Sequence, residues 1–172
     1  TLNWINPHVI WSPPGGTPDY FNACAPQGLF CSVPYNSGSS YQPAHSGDAY
    51  VGIGLWQYTS TWREYIEVPL TSTLTLNDCY HFEMYVNLGN NSKYAIDTIG
   101  VYFSNTIVSS INMSVLPFTP QIKNAGFITD TLNWTLITAD YTASGGENYL
   151  IIGNFNDDAT TNTLQLGGVS GT

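Results

Sequence analysis

The residues of this chain that could do chemistry are few and scattered. His8, His45 and His81 stand in unrelated contexts, and His45-Ser46 is a pair of sequence neighbours rather than a nucleophile with its base. No Gly-x-Ser-x-Gly turn presents a serine. Glu64, Glu67, Glu83, Asp97 and Glu147 are enough carboxylates for a glycosidase pair. Glu67 and Glu83, however, fall at strand positions expected to face outward. Arg63 lies two side-chain steps from Glu67 on one strand face, so an ion pair between them is the plainer expectation. With no paired nucleophile and base, the expectation is a protein that is not an enzyme.

Metal chemistry is equally sparse. No His or Cys spacing fits zinc. Asn154, Asn156, Asp157 and Asp158 bunch oxygen donors behind a strand, either as a calcium site or as an Asn/Asp-rich turn. Cys24 and Cys31 flank a short Pro/Gly loop, which suits a local disulfide in an oxidising compartment, although sequence does not fix connectivity. Cys79 is then left over, as a small buried hydrophobe at a strand start.

Aromatic side chains offer more. Tyr41, Trp56, Tyr58 and Trp62 stand near Gln57 and Asp48. An aromatic ring matches the apolar face of a pyranose, and amide or carboxylate groups bond its hydroxyls, so these six residues form a candidate glycan site. The competing expectation is that Trp and Tyr pack the core, as in most β-domains.

The elements that must position these groups are strands. Ala49, Val51, Ile53 and Leu55 alternate with Asp48, Tyr50, Gly52 and Gly54. Ile66, Val68 and Leu70 alternate with Arg63, Tyr65 and Glu67. Gly52 and Gly54 leave one face bare, so a backbone, side chain or ligand can approach there. Residues 80–88 form the cleanest alternation. Further strands are expected near 99–103, 134–138, 149–155 and 163–166, separated by turn formers. Residues 116–122 carry Pro117 and Pro120 and belong in a loop or on an edge. No window keeps a helical period, so the pattern implies an all-β fold, an antiparallel β-sandwich or jelly roll. Residues 1–15 are an irregular N-terminal arm or linker with a Pro-Pro-Gly-Gly run from Pro13, and 16–172 form one domain.

Composition narrows the partners. Asp and Glu outnumber Lys and Arg 12 to 3 in 172 residues, and the net charge is −9. That balance argues against nucleic acid and anionic membrane surfaces. No apolar run is long enough to span a membrane. Thr, Ser, Asn and Tyr supply the polarity, as in a secreted, extracellular or cell-surface protein.

The ordered segments GTPDYFNAC (16–24), YQPAHSGDAYVGI (41–53), REYIEVPL (63–70), YAIDTIGVYFSN (94–105), LPFTPQI (116–122) and GGENYLIIGNFNDD (145–158) carry a family resemblance. The chain resembles a recurrent domain of secreted bacterial surface and adhesion proteins, similar to carbohydrate-binding modules of the jelly-roll, galactose-binding-like type. The resemblance implies the fold, admits a structural calcium in a chain that otherwise requires no cofactor, and leaves function open.

It also implies a first and a last strand that are not recognisable here. A sheet short of a strand exposes backbone groups, and few cations guard its edges. Leu2, Trp4, Val9, Ile10 and Trp11 at one end, and Leu164 and Leu166 at the other, could pair with a neighbouring copy. The leading expectation is therefore a non-catalytic extracellular structural or adhesive subunit that builds filaments by terminal strand exchange. The alternative is a carbohydrate-binding module whose partner is a polysaccharide.

Overall fold

A computed structural model describes residues 16–37, 40–109 and 114–167. The arm at 1–15, and with it Leu2, Trp4, Val9, Ile10 and Trp11, lies outside the described residues. Among those described, every regular element is a strand and none is a helix.

The strongest alternation gives the longest pairing. Cys79–Val86 (β6) buries Phe82 and exposes His81 and Glu83. It pairs antiparallel with Thr135–Thr142 (β10) over its whole length, from Thr135 opposite Val86 to Thr142 opposite Cys79. Gly145 and Gly146 then turn the chain at φ of 89° and 95°, values that side chains resist.

The turn leads into Tyr149–Gly153 (β11), the centre of a four-stranded antiparallel sheet. Its order is Ile66–Pro69 (β5), β11, Gly100–Ser104 (β8) and Ile122–Lys123 (β9). The prolines at 117 and 120 precede a short edge strand, as expected. Register puts Val68, Leu150 and Phe103 side by side on one face, and Glu67, Ile151 and Tyr102 on the other.

The first face packs on the β6–β10 pair. Val68, Val101, Phe103, Ile122 and Leu150 meet Phe82, Tyr141 and Ala143 in one cluster. The Phe103 and Tyr141 rings stack at 4.3 Å, 1° from parallel. Each large apolar side chain buried there contributes about 1.5–3 kcal/mol.

The second face is covered too. Tyr65, Ile151 and Phe155 pack with Leu116, flanked by Val108 and Phe118. The Val108 N–H donates to Glu67 Oε1 at 2.7 Å, and the Leu116 N–H donates to the Tyr65 hydroxyl at 3.0 Å. Glu67 is therefore buried, at 2% exposure, and not outward-facing as expected. The cause is tertiary: chain that follows β8 folds over a face that alternation alone assigns to solvent.

Three smaller pairs complete the described structure. Asp19–Asn22 (β1) pairs with Ala49–Gly52 (β4). Tyr35–Asn36 (β2) pairs with Ser40–Tyr41 (β3). Thr163–Gln165 (β12) lies on Tyr94–Ile96 (β7) of its own chain. Leu164 is 41% exposed and Leu166 is partly buried, its N–H donating to the Lys93 carbonyl at 2.8 Å.

Candidate functional site: an aromatic platform on an anchored loop

The loop between β4 and β5 carries Trp56, Gln57, Tyr58 and Trp62, and the residues after it fix its position. Arg63 is fully buried. Its Nη1 donates to the Trp62 carbonyl at 2.9 Å, and its Nη2 donates to the Asn156 carbonyl at 3.2 Å and to Asp158 Oδ1 at 2.7 Å. Arg63 thus pairs with Asp158, not with Glu67 as expected, because the buried guanidinium reaches across to the loop after β11.

The next residues extend the lock. Glu64 accepts the Thr17 N–H at 3.0 Å and the Gly54 N–H at 2.7 Å. The Tyr65 hydroxyl donates to the Asn154 carbonyl at 2.7 Å. Asn154, fully buried, donates its amide to the Leu55 carbonyl and the Thr161 hydroxyl, both at 3.1 Å. Burial of charged and polar groups is tolerable only with partners of this kind.

The bare glycines serve the same packing. A Cβ on Gly54 would lie 1.8 Å from the Trp62 ring, and one on Gly52 would lie 2.8 Å from Phe21. Side-chain rings, not a ligand, occupy that space.

On this support three rings meet. Trp56 and Tyr94 lie 5.2 Å apart edge to face, and Tyr58 and Tyr94 lie 6.0 Å apart with planes 4° from parallel. Tyr58 is 74% exposed. Trp56 Nε1 is buried without a hydrogen-bond partner. The Ser60 hydroxyl donates to Gln57 Oε1 at 3.1 Å and so orients that exposed amide. The arrangement offers flat apolar rings beside an oriented amide, the chemistry that recognises a pyranose face and its hydroxyls.

The six-residue glycan constellation is divided. Trp56, Gln57, Tyr58 and Trp62 share the loop. Asp48 precedes β4, at the strand end opposite the loop, and its carbonyl accepts the Ala23 N–H at 2.9 Å. Tyr41 lies on β3, edge-on to Tyr35 at 4.8 Å. Tyr94 is the added member, and its YAIDTIG context gives no local sign that it meets a ring thirty-six residues earlier.

The four candidate calcium donors have partners within the chain. Asn154 points inward, and the Asn156 amide donates to the Thr160 carbonyl at 3.2 Å. Asp157 Oδ1 accepts the Thr160 N–H at 2.8 Å and its hydroxyl at 2.6 Å, which holds its carboxyl below the usual range. The Thr61 hydroxyl and then Arg63 hold Asp158 low against the opposing push of burial. A cation at Asp158 must compete with the guanidinium. Among the described residues no group of three His, Cys, Asp or Glu side chains could hold a metal ion.

Cys24, Cys31 and Cys79 are free thiols, and Cys79 is exposed at the start of β6 rather than buried.

One further constellation lies on the open face of β6 and β10. His81 Nδ1 is 2.6 Å from Asp140, and Nε2 is 3.1 Å from the Thr138 hydroxyl and 3.3 Å from Glu83. The order of groups resembles a triad, but Asp140 and then Glu83 push the ring's pKa up and favour imidazolium. The Thr138 hydroxyl also donates to the Phe82 carbonyl at 3.1 Å. The four side chains form one hydrogen-bonded network across the exposed face of β6 and β10.

No protein-family model matches the chain, and no curated protein or solved structure matches it either.

Proposed function

We propose that the chain is a non-catalytic extracellular binding module that holds polysaccharide on the Trp56–Tyr58–Tyr94 platform. One observation carries this reading: three rings, one of them 74% exposed, cluster where Tyr94 of β7 meets a loop anchored by the ion pair of the buried Arg63 with the half-exposed Asp158. Exposing aromatic surface is costly for a protein that could bury it, and rigid anchoring lowers the entropy lost on binding. The jelly-roll carbohydrate-binding resemblance supports the same class. On this view the two packed β layers are the sandwich of such a module. The test is retention on insoluble cellulose, chitin and mannan. Wild type should be retained on at least one, and Trp56→Ala should pass through while keeping its circular dichroism. Failure of the wild type on all three would remove the proposal.

A second reading, self-assembly through terminal strands, is favoured by β12. All three of its residues are exposed, and it belongs to a sheet of only two strands. An edge of this kind admits another copy by strand addition. Sedimentation of the full chain and of a chain lacking residues 1–11 tests it. Polymers lost on deletion support the reading, and a monomer in both contradicts it.

A further inference from the structure

The four-stranded sheet has a second end, away from the platform. There β5, β8 and β11 present Pro69, Ser104 and Tyr149 side by side on one face. Beside them lies an open groove of about 580 Å³. Its walls are the segments 70–73 and 105–107, with Asn148 and Tyr149 between them.

Asn148 holds the walls in place. Its carbonyl accepts the Leu70 N–H at 2.7 Å, and its N–H donates to the Ser104 carbonyl at 2.8 Å. The Thr73 hydroxyl donates to its side-chain oxygen, and its amide donates to the Gly146 carbonyl at 3.0 Å. Ser104 fixes the far wall: its hydroxyl donates to the Thr106 carbonyl at 2.7 Å. The groove is thus built from hydrogen-bonded backbone on both sides, so little ordering is left to the moment of binding.

Its lining selects the ligand chemistry. In a chain of net charge −9, no charged side chain lines the groove. A phosphate, carboxylate or ammonium group finds no counter-charge there. Thr71, Ser72 and Thr106 offer exposed hydroxyls, while Tyr149 and the exposed Ile107 offer apolar surface. Neutral hydroxyls beside a ring and an aliphatic side chain match a neutral sugar.

We propose that this groove is a separate binding site for a neutral oligosaccharide, at the opposite end of the sheet from the aromatic platform. Strands of four or five residues at about 3.3 Å each put roughly 15 Å between the two ends. The proposal rests on the groove alone and holds whether or not the platform binds.

The test is amide chemical-shift mapping with cellohexaose, xylohexaose and mannohexaose up to roughly 10 mM, which detects a millimolar Kd. At least one should shift the amides of residues 71–73, 105–107 and Tyr149 in a saturable way. The shifts should survive Trp56→Ala. They should weaken at least about tenfold in Ser72→Trp, which fills the groove from an exposed loop, and in Tyr149→Ala. Silence of these amides with all three sugars overturns the proposal, as does their loss in Trp56→Ala or their persistence in both groove variants. Shifts confined to Trp56–Tyr58 and Tyr94 would keep the platform and remove the groove.

Discussion

Arg63 Nη2 lies 2.7 Å from Asp158 Oδ1, with the Arg63 side chain fully buried and that of Asp158 40% exposed. This contact joins the aromatic loop to the loop after β11, ninety-five residues on. Removing the acceptor leaves a buried cation with only carbonyl partners, and its Nε already lacks one. Asp158→Ala should cost about 1–3 kcal/mol in urea unfolding, and Arg63→Ala, which empties the volume of a fully buried side chain, about 2–5 kcal/mol. Unfolding midpoints equal to wild type in both would show that the pair holds nothing.

Tyr65 ties three segments together through one hydroxyl. Tyr65→Phe keeps the ring's packing on Phe155 but strands the Leu116 N–H and the Asn154 carbonyl. The expected loss is about 1–3 kcal/mol, read from chemical unfolding, with no change in far-ultraviolet circular dichroism. A loss below the error of the measurement would contradict the assigned bonds.

Glu67 should give stability a distinct pH dependence. Burial pushes its carboxyl up, against the Val108 N–H, and Oε2 has no partner. A value higher in the folded state means that the protonated form stabilises the fold. That stabilisation is complete below the unfolded value of about 4.3 and is lost as pH rises through the folded value. Glu67→Gln cannot ionise. The difference in melting temperature, variant minus wild type, should therefore grow as pH rises through this window. A difference that stays flat from acid to neutral pH refutes the assignment.

The thiols offer a direct count. Cys24 and Cys79 are exposed, while burial, and then the charge of Asp19, push the partly buried Cys31 thiol up. A thiol reagent at neutral pH should find two fast groups and one slow group, because the thiolate reacts. A Cys24–Cys31 disulfide would leave only one.

Much of the strand pattern was legible because it is local. The alternation around Phe82 and the run from Tyr149 match β6 and β11 within two residues. The outward placement of Glu67 was not, because the cover over that face comes from residues after β8. The REYIE run showed the same limit: it reads as half-buried strand, yet Arg63, Glu64, Tyr65 and Glu67 are all at most 4% exposed. Each has partners on segments far along the chain, so this run holds the fold together. Of the candidate site, the loop rings were visible as a cluster in sequence. Tyr94 was not, since its place beside Trp56 depends on how β7 docks.

The central proposal is that exposed Tyr58, with the partly buried Trp56 and Tyr94, holds polysaccharide. Affinity electrophoresis through gels containing soluble β-glucan, xylan or mannan tests it most directly, with wild type, Tyr58→Ala and Tyr94→Ala run side by side. Tyr58 is 74% exposed, so its removal spares the fold. The account predicts retardation of wild type by at least one polysaccharide and a loss of affinity of about tenfold or more, some 1.4 kcal/mol, in each variant. Identical mobility of all three proteins in every gel would contradict it.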